Sequence, residues 1–258
     1  MGHFLHLIAD YGNGDPAFSE VIHRLTRHDP DITVQPTSVN PFSSLATGFW
    51  IAQYGLHNPA FDDMGIYANT APRRSEGPQP DNRGEELVYA ELDSGIPVIA
   101  VDSGYTFSFV KDHLSTFREV NVADSGSQFR SRDFFPEAVI GLLNGESSWL
   151  GSERDQGDLP EPPERRIAHI DGYGNIKTTV RQSGTDLEPG DRVKISLNGV
   201  ERQAQYQKNA FEVEQGTLAL APGSAGGDDP FLELVLRGDS AADTFNEASV
   251  SDTLRFNT

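Results

Sequence analysis

The stretch GSERDQGDLPEPPERR (151–166) divides the sequence into two differently patterned parts. It carries three prolines and mixed charge between regular segments, which marks it as a linker. Upstream, strand-like runs alternate with helical ones. HFLHLIAD (3–10) leads through a Gly-rich turn into DPAFSEVIHRLTRHDP (15–30), where Asp15 is placed to cap a helix whose first residue is Pro16. DITVQPTS, MGIYAN, LVYAEL, PVIAVD and REVNV read as further strands; SSLATGFWIAQYG, FSFVKDHL and RDFFPEAVIGLLNG read as helices. Such alternation predicts a layered α/β domain over 1–150 with a mostly parallel sheet. Downstream the helical period disappears. RIAHIDGYGNIKTTV, DRVKISLNGV, ERQAQYQ, NAFEVEQGTLALAP and PFLELVLRG read as strands joined by Gly-containing turns, predicting a smaller all-β, barrel-like domain over 167–258.

Composition narrows the partners. Net charge is −19, and only Lys111, Lys177, Lys194 and Lys208 are lysine among 20 basic residues. Such a field repels nucleic acid and anionic lipid. Acidic, lysine-poor and cysteine-free composition suggests a salt-loving host, although an ordinary acidic soluble protein has the same signature. Without cysteine there is neither a disulfide framework nor thiolate chemistry. No apolar run is long enough for a membrane span and the N-terminus lacks a signal pattern, so a cytoplasmic protein is expected. The seven histidines show no metal-ligand spacing, and no metal is expected.

Several local motifs carry chemistry. Gly12 to Ala17 spell G-x-G-x-x-A between a strand and a helix, the setting of a dinucleotide site. However, Asp10 and Asp15 flank the turn and would repel a pyrophosphate, and TVQPTS offers no ribose-binding acid. Two carboxylates above a strand end suit a diol and a cation better. HIDGYGNIKTT (169–179) reads as a hairpin tipped by Asp171, Tyr173 and Asn175, residues that a structural turn also explains. SQFRSRDFF (127–135) places hydroxyls and arginines before a helix, where an anion could bind or Asp133 could cap.

Taken in order, these stretches resemble the family of S-adenosylmethionine-cleaving enzymes that includes the fluorinase, the chlorinase and the S-adenosylmethionine hydroxide adenosyltransferases. IADYGNGDP, VNPFSSLATGFWIAQ, FRSRDFF, HIDGYGNIKTTV and the last strands NAFEVEQG and LELVLRGDSAAD carry the resemblance over nearly the whole chain. It implies S-adenosylmethionine as substrate, no further cofactor, and a homotrimer with sites between the N-terminal domain of one subunit and the C-terminal domain of its neighbour. It also implies roles. Asp10 would hold the ribose diol, Asp15 would lie near the methionine moiety, and Asp171 would take the methionine ammonium. Asn175 would bond adenine, with Phe211 and the backbone at Leu236 and Gly238 completing that pocket. Phe42 stands where the fluorinase has tryptophan, Phe129 opens the second loop motif, Tyr173 is the aromatic of the hairpin, and Ser224 corresponds to a serine near the methionine carboxylate.

The resemblance also bears on the nucleophile. Water-using members end the third strand in Asp-Pro-Gly-Val-Gly, with an Arg seven residues after the Asp, and carry Phe-His-Gly-Arg in the second loop. Here the Asp position is Tyr67 and the His position is Arg130, while Arg74 keeps the Arg spacing. Arginine is no general base. Tyr67-Ala-Asn-Thr70 resembles the Tyr-Pro-Ala-Thr of the fluorinase, and Ser131 falls at its halide-contacting serine. The resemblance therefore implies a halide acceptor, chloride before fluoride on abundance, giving 5′-halo-5′-deoxyadenosine. Hydrolysis to adenosine is the first alternative. The second is a non-catalytic protein that binds an adenosyl ligand.

Overall fold

The computed structural model describes residues 2–70 and 85–257, and the chain divides into two compact units meeting at Glu161 and Pro162. Arg74 lies outside the described residues. In the first unit the order is β1 (Phe4–Ala9), α1 (Pro16–His28), β2 (Thr33–Ser38), α2 (Ser44–Ala52), β3 (Met64–Asn69), β4 (Leu87–Leu92), β5 (Pro97–Val101), β6 (Leu114–Val120), α3 (Arg130–Asp133), α4 (Phe135–Leu143) and β7 (Leu150–Glu153). The strands form one seven-stranded sheet, β2-β1-β3-β5-β4-β6-β7. From β2 to β5 all pairings are parallel; from β5 to β7 all are antiparallel. The parallel region is thus half the sheet. A turn of only four residues, Asp93 to Ile96, joins β4 to β5, and a parallel crossover needs a dozen or more.

α1 begins as its sequence predicts. Asp15 is extended and accepts the Ala17 N–H at 2.8 Å, Pro16 starts the helix, and Phe18, Val21 and Leu25 face the core. There they meet Leu5 and Leu7 of β1, Tyr67 of β3, and Phe135 and Val139 of α4. Two expectations are corrected. FSFVKDHL is not an α-helix: Ser108, Val110 and His113 donate back three residues, and Leu114 already starts β6. These turns still bury Phe107, Phe109 and Val110. RDFFPEAVIGLLNG is two helices broken at Phe134, because Pro136 lacks an N–H and its ring crowds the carbonyl four residues back. The first part of the Pro-rich stretch is structured, with β7 paired to β6 and Leu159 buried.

The second unit comprises β8 (Ile167–Ile170), β9 (Ile176–Arg181), β10 (Arg192–Leu197), β11 (Val200–Tyr206), β12 (Leu218–Pro222), β13 (Phe231–Leu236) and β14 (Arg255–Asn257). They form a sheet ordered β14-β10-β11-β12-β13-β9-β8. Backbone bonds from Ile167 to Asp252, Ser251 to Ile167 and Leu254 to Arg165 tie its two edges, so the sheet curls toward closure. Ile176, Ile195, Leu220, Leu234 and Phe245 fill the interior. NAFEVEQG, expected as a strand, is a turn: Asn209 accepts the Phe211 N–H through its side chain and the Glu212 N–H through its carbonyl. Among the described residues no helix is long and apolar enough to cross a membrane.

Candidate active site

Each unit presents a cluster of polar side chains. In the first, parallel strands deliver residues to their carboxyl ends, where open α/β sheets bind ligands. Ala9 and Asn69 are register partners at the ends of β1 and β3, so Asp10, Tyr11, Asn69 and Thr70 emerge together. Asp10 accepts the Phe42 N–H at 2.9 Å. Phe42 is left-handed, at φ 62°, and its ring is half exposed. A carboxylate thereby holds a backbone conformation unfavourable for an aromatic residue.

A chain of hydrogen bonds links the other members. Asn69 Nδ2 donates to Tyr11 Oη at 3.1 Å, and Tyr11 Oη lies 2.7 Å from Ser131 Oγ. Fully buried Tyr67 donates its hydroxyl to the Ser131 carbonyl at 3.2 Å. Phe129 packs edge-on against Tyr11. Burial pushes the phenols of Tyr11 and Tyr67 well above their ordinary range; neighbouring Tyr11 adds to the effect at Tyr67, and Arg130 opposes it. Both are neutral donors at physiological pH.

Arg130 stacks its guanidinium 5.0 Å above Phe135 and donates to the Glu85 carbonyl at 3.1 Å. Its Nε is buried with no partner among the described residues. Burial lowers its pKa, opposed by Asp124, Glu85 and Glu86, but a guanidinium keeps its charge in proteins. Thr70, also buried, bonds Thr47 Oγ1 at 2.7 Å. The structure therefore joins Tyr67, Ser131, Arg130 and Phe129 in one cluster, Asp10 with Phe42 beside it, and leaves Asp15 bonded as a helix cap. Tyr11 and Asn69 were missed by sequence reasoning. The signal was their position, directly after Asp10 and directly before Thr70.

In the second unit Asp171 organises the hairpin. One carboxylate oxygen accepts the N–H groups of Tyr173 and Asn175 at 2.9 and 3.0 Å, and the other accepts Asn175 Nδ2 at 3.0 Å. Burial alone would raise its pKa, but these bonds and the charge of Lys177 outweigh burial and hold the carboxyl below its usual range. Gly174, at φ 79°, passes so close to Ser240 that a Cβ would stand 2.1 Å from its Oγ. The hairpin is thus seated against the segment after Leu236 and Gly238, and the Gly174 carbonyl accepts the Ala242 N–H there. Arg237 bonds the Val213 carbonyl, bringing the Phe211 turn to the same end of the sheet. Tyr173 and Phe211 are strongly exposed, at 83% and 71%. Ser224 lies farther along, beside β13, bonded to Lys177 and Glu233. Among the described residues no group of three His, Asp or Glu could hold a metal.

This arrangement can be set against known proteins. Residues 165–252 match the SAM hydroxide adenosyltransferase C-terminal domain. A curated relative, the (R)-S-adenosyl-L-methionine hydrolase of Methanocaldococcus jannaschii, is 26% identical over 171 residues, which span 62% of this chain and 61% of that protein. The family match lies within the second unit, and the chain spans about three fifths of the length of the curated relative it matches. Two solved structures share the fold. An uncharacterized conserved protein from Thermotoga maritima has a TM-score of 0.77 at 17% identity, covering 98% of this chain and all of that one (100%). A conserved hypothetical protein from Thermus thermophilus has a TM-score of 0.70 at 17% identity, with both chains covered in full (100%).

Proposed function

We propose that the protein cleaves S-adenosylmethionine at C5′, releasing methionine and joining the adenosyl group to a halide, chloride ahead of fluoride. One observation carries the choice of acceptor. Among the described residues, the hydrogen-bond partners of Tyr67, Thr70 and Ser131 are hydroxyls and carbonyls, with no carboxylate or imidazole to deprotonate water. A halide needs no base. Its lone pair forms the C5′–halogen bond as the C5′–sulfur bond breaks, and that bonding pair leaves on sulfur as the sulfonium becomes neutral methionine. The remaining task is to replace hydration and align the anion. Ser131 and Thr70 hydroxyls, walled by Tyr67 and with Arg130 supplying positive charge, suit that task. Asp10 takes the ribose diol and Asp171 the ammonium; Asp15, Phe42, Phe129, Tyr173, Asn175, Phe211, Leu236 and Gly238 complete the substrate contacts. Hydrolysis to adenosine is the second reading, favoured by the name of the Methanocaldococcus relative.

Incubation with S-adenosylmethionine in chloride, bromide, fluoride or halide-free buffer, with products identified by mass spectrometry, separates the two. Halogenated deoxyadenosine is expected, with Ser131→Ala raising the halide concentration for half-maximal rate by about 10- to 150-fold, since a charge-assisted hydrogen bond is worth about 1.5–3 kcal/mol. Burial keeps both phenols protonated and Arg130 stays charged. The halide rate is therefore expected to be flat from about pH 6 to 9, whereas a hydroxide rate climbs with pH. Adenosine alone, formed faster as pH rises, would establish the hydrolytic reading. The exposure of Phe42, Tyr173 and Phe211 supports the further proposal of a homotrimer in which two copies complete each site. Light scattering giving the mass of a single chain would remove it.

A further inference from the structure

Helix α1 turns a polar stripe away from its core face. Phe18, Val21 and Leu25 are buried, while Glu20, His23, Arg24 and Arg27 recur at the three- and four-residue spacing that places them on one side. Arg132 of α3 faces that stripe, and the five residues line an open cleft of about 550 Å³. The chain carries 39 acidic residues against 20 basic ones, so three guanidiniums around one cleft run against its overall charge.

Their pairing is incomplete. Asp133 Oδ1 accepts Arg132 Nε at 2.8 Å and lies 3.8 Å from Arg24 Nη2, so two guanidiniums converge on one carboxylate. Arg132 and the Ser127 hydroxyl together hold the Asp133 carboxyl down at about 2, so it stays ionised. Arg132 Nη1 reaches across the cleft to Glu20 at 2.7 Å, and nearly half of the Glu20 side chain is exposed. Arg27 is exposed and has neither a hydrogen bond nor an ion pair among the described residues. Three permanent cations thus face two carboxylates, one of them an exposed and exchangeable partner. A solvated helix end explains part of this, since Arg27 lies in the last turn of α1, where the helix dipole favours a cation. It does not explain Arg132, which comes from another helix 112 positions from Glu20, nor the space left between the two helices. Guanidinium forks match phosphate oxygens in bidentate geometry. Cations contributed by two helices around a cleft of this size suit an anion longer than a single phosphate.

We propose that the cleft between α1 and α3 is a second ligand site, for a small anion carrying two or more linked phosphates. Arg24, Arg27 and Arg132 bind the phosphates, and the anion replaces Glu20 on Arg132. The site is separate from the candidate active site but backs onto it. Arg130 and Ser131 precede Arg132 in α3, and the Arg132 guanidinium lies 4.9 Å above the Phe129 ring.

Calorimetric titration in halide-free buffer of low ionic strength tests this, with tripolyphosphate, uridine triphosphate and inorganic phosphate as probes. Uridine triphosphate carries the phosphate chain without the adenine of the proposed substrate. One tripolyphosphate per chain is expected, with a Kd of about 10–100 µM, and inorganic phosphate at least about tenfold weaker. Uridine triphosphate bound as tightly as tripolyphosphate would support the site and make nucleotides its source of phosphate. Binding of uridine triphosphate at least about tenfold weaker would support it for free polyphosphate. Arg27→Gln is expected to weaken tripolyphosphate binding at least about fivefold, and Arg24→Gln/Arg27→Gln to raise the Kd above about 1 mM. Glu20→Gln, which frees Arg132 and removes a competing charge, is expected to tighten binding about two- to fivefold. Loss of α1 structure would weaken binding in every variant, so opposite changes at Arg27 and Glu20 separate recognition from folding. A Kd above about 1 mM for the unsubstituted protein, or an unchanged Kd in the double arginine variant, overturns the inference.

Discussion

Asp10→Ala is expected to lower kcat/KM for S-adenosylmethionine by about 100- to 10,000-fold, from the loss of two charge-assisted hydrogen bonds at about 1.5–3 kcal/mol each. Asp10 follows the last residue of a buried parallel strand, so its backbone is fixed, and its carboxylate leans on the Phe42 N–H at 2.9 Å. One carboxylate therefore serves two functions in this reading: it accepts both ribose hydroxyls, and it holds Phe42 left-handed beside the sugar. Alanine removes the acceptor and releases the turn together. Asp10→Asn keeps an acceptor for the Phe42 N–H but gives up the charge, and an intermediate loss of about tenfold is expected. Steady-state kinetics on both variants, with adenosine affinity measured alongside, checks this. Adenosine affinity should fall in parallel with kcat/KM, because the diol belongs to the nucleoside. A kcat/KM within twofold of the unsubstituted protein for Asp10→Ala would remove the residue from the substrate site.

Much of the architecture was legible because local physics decided it. The Asp15–Pro16 start of α1, the apolar period that follows, and the hairpin tip of HIDGYGN are each set by residues within one turn of each other. The failures were also local in origin. FSFVKDHL has the apolar content of a buried helix, yet successive three-residue turns bury the same side chains. NAFEVEQG alternates like a strand, but the Asn209 side chain captures the backbone first. At the candidate site, the carboxylates stood out because they flank glycine turns. Ser131 was found through the resemblance, but its partner Tyr11 was not, since the two are 120 positions apart and are brought together only when α3 docks beside the ends of β1 and β3. The Lys177–Glu233 pair is similar: its members are 56 positions apart, and only β9–β13 register makes them neighbours.

That pair also gives the largest stability effect expected in the chain. Lys177→Met alone leaves Glu233 charged and only 9% exposed with its cationic partner gone. Breaking one side of a buried pair costs about 3–5 kcal/mol, whereas replacing both sides by apolar residues is often neutral or stabilising. Lys177→Met is therefore expected to lower the Tm of the second unit's transition by at least about 10 °C, taking roughly 4–8 °C per kcal/mol for a unit of this size. Lys177→Met/Glu233→Met is expected to return within about 3 °C of the unsubstituted protein. Calorimetry following that unit's own transition is the appropriate measurement, because a two-unit chain need not unfold in one step. Equal drops for the single and double variants would mean that the two charges do not compensate one another.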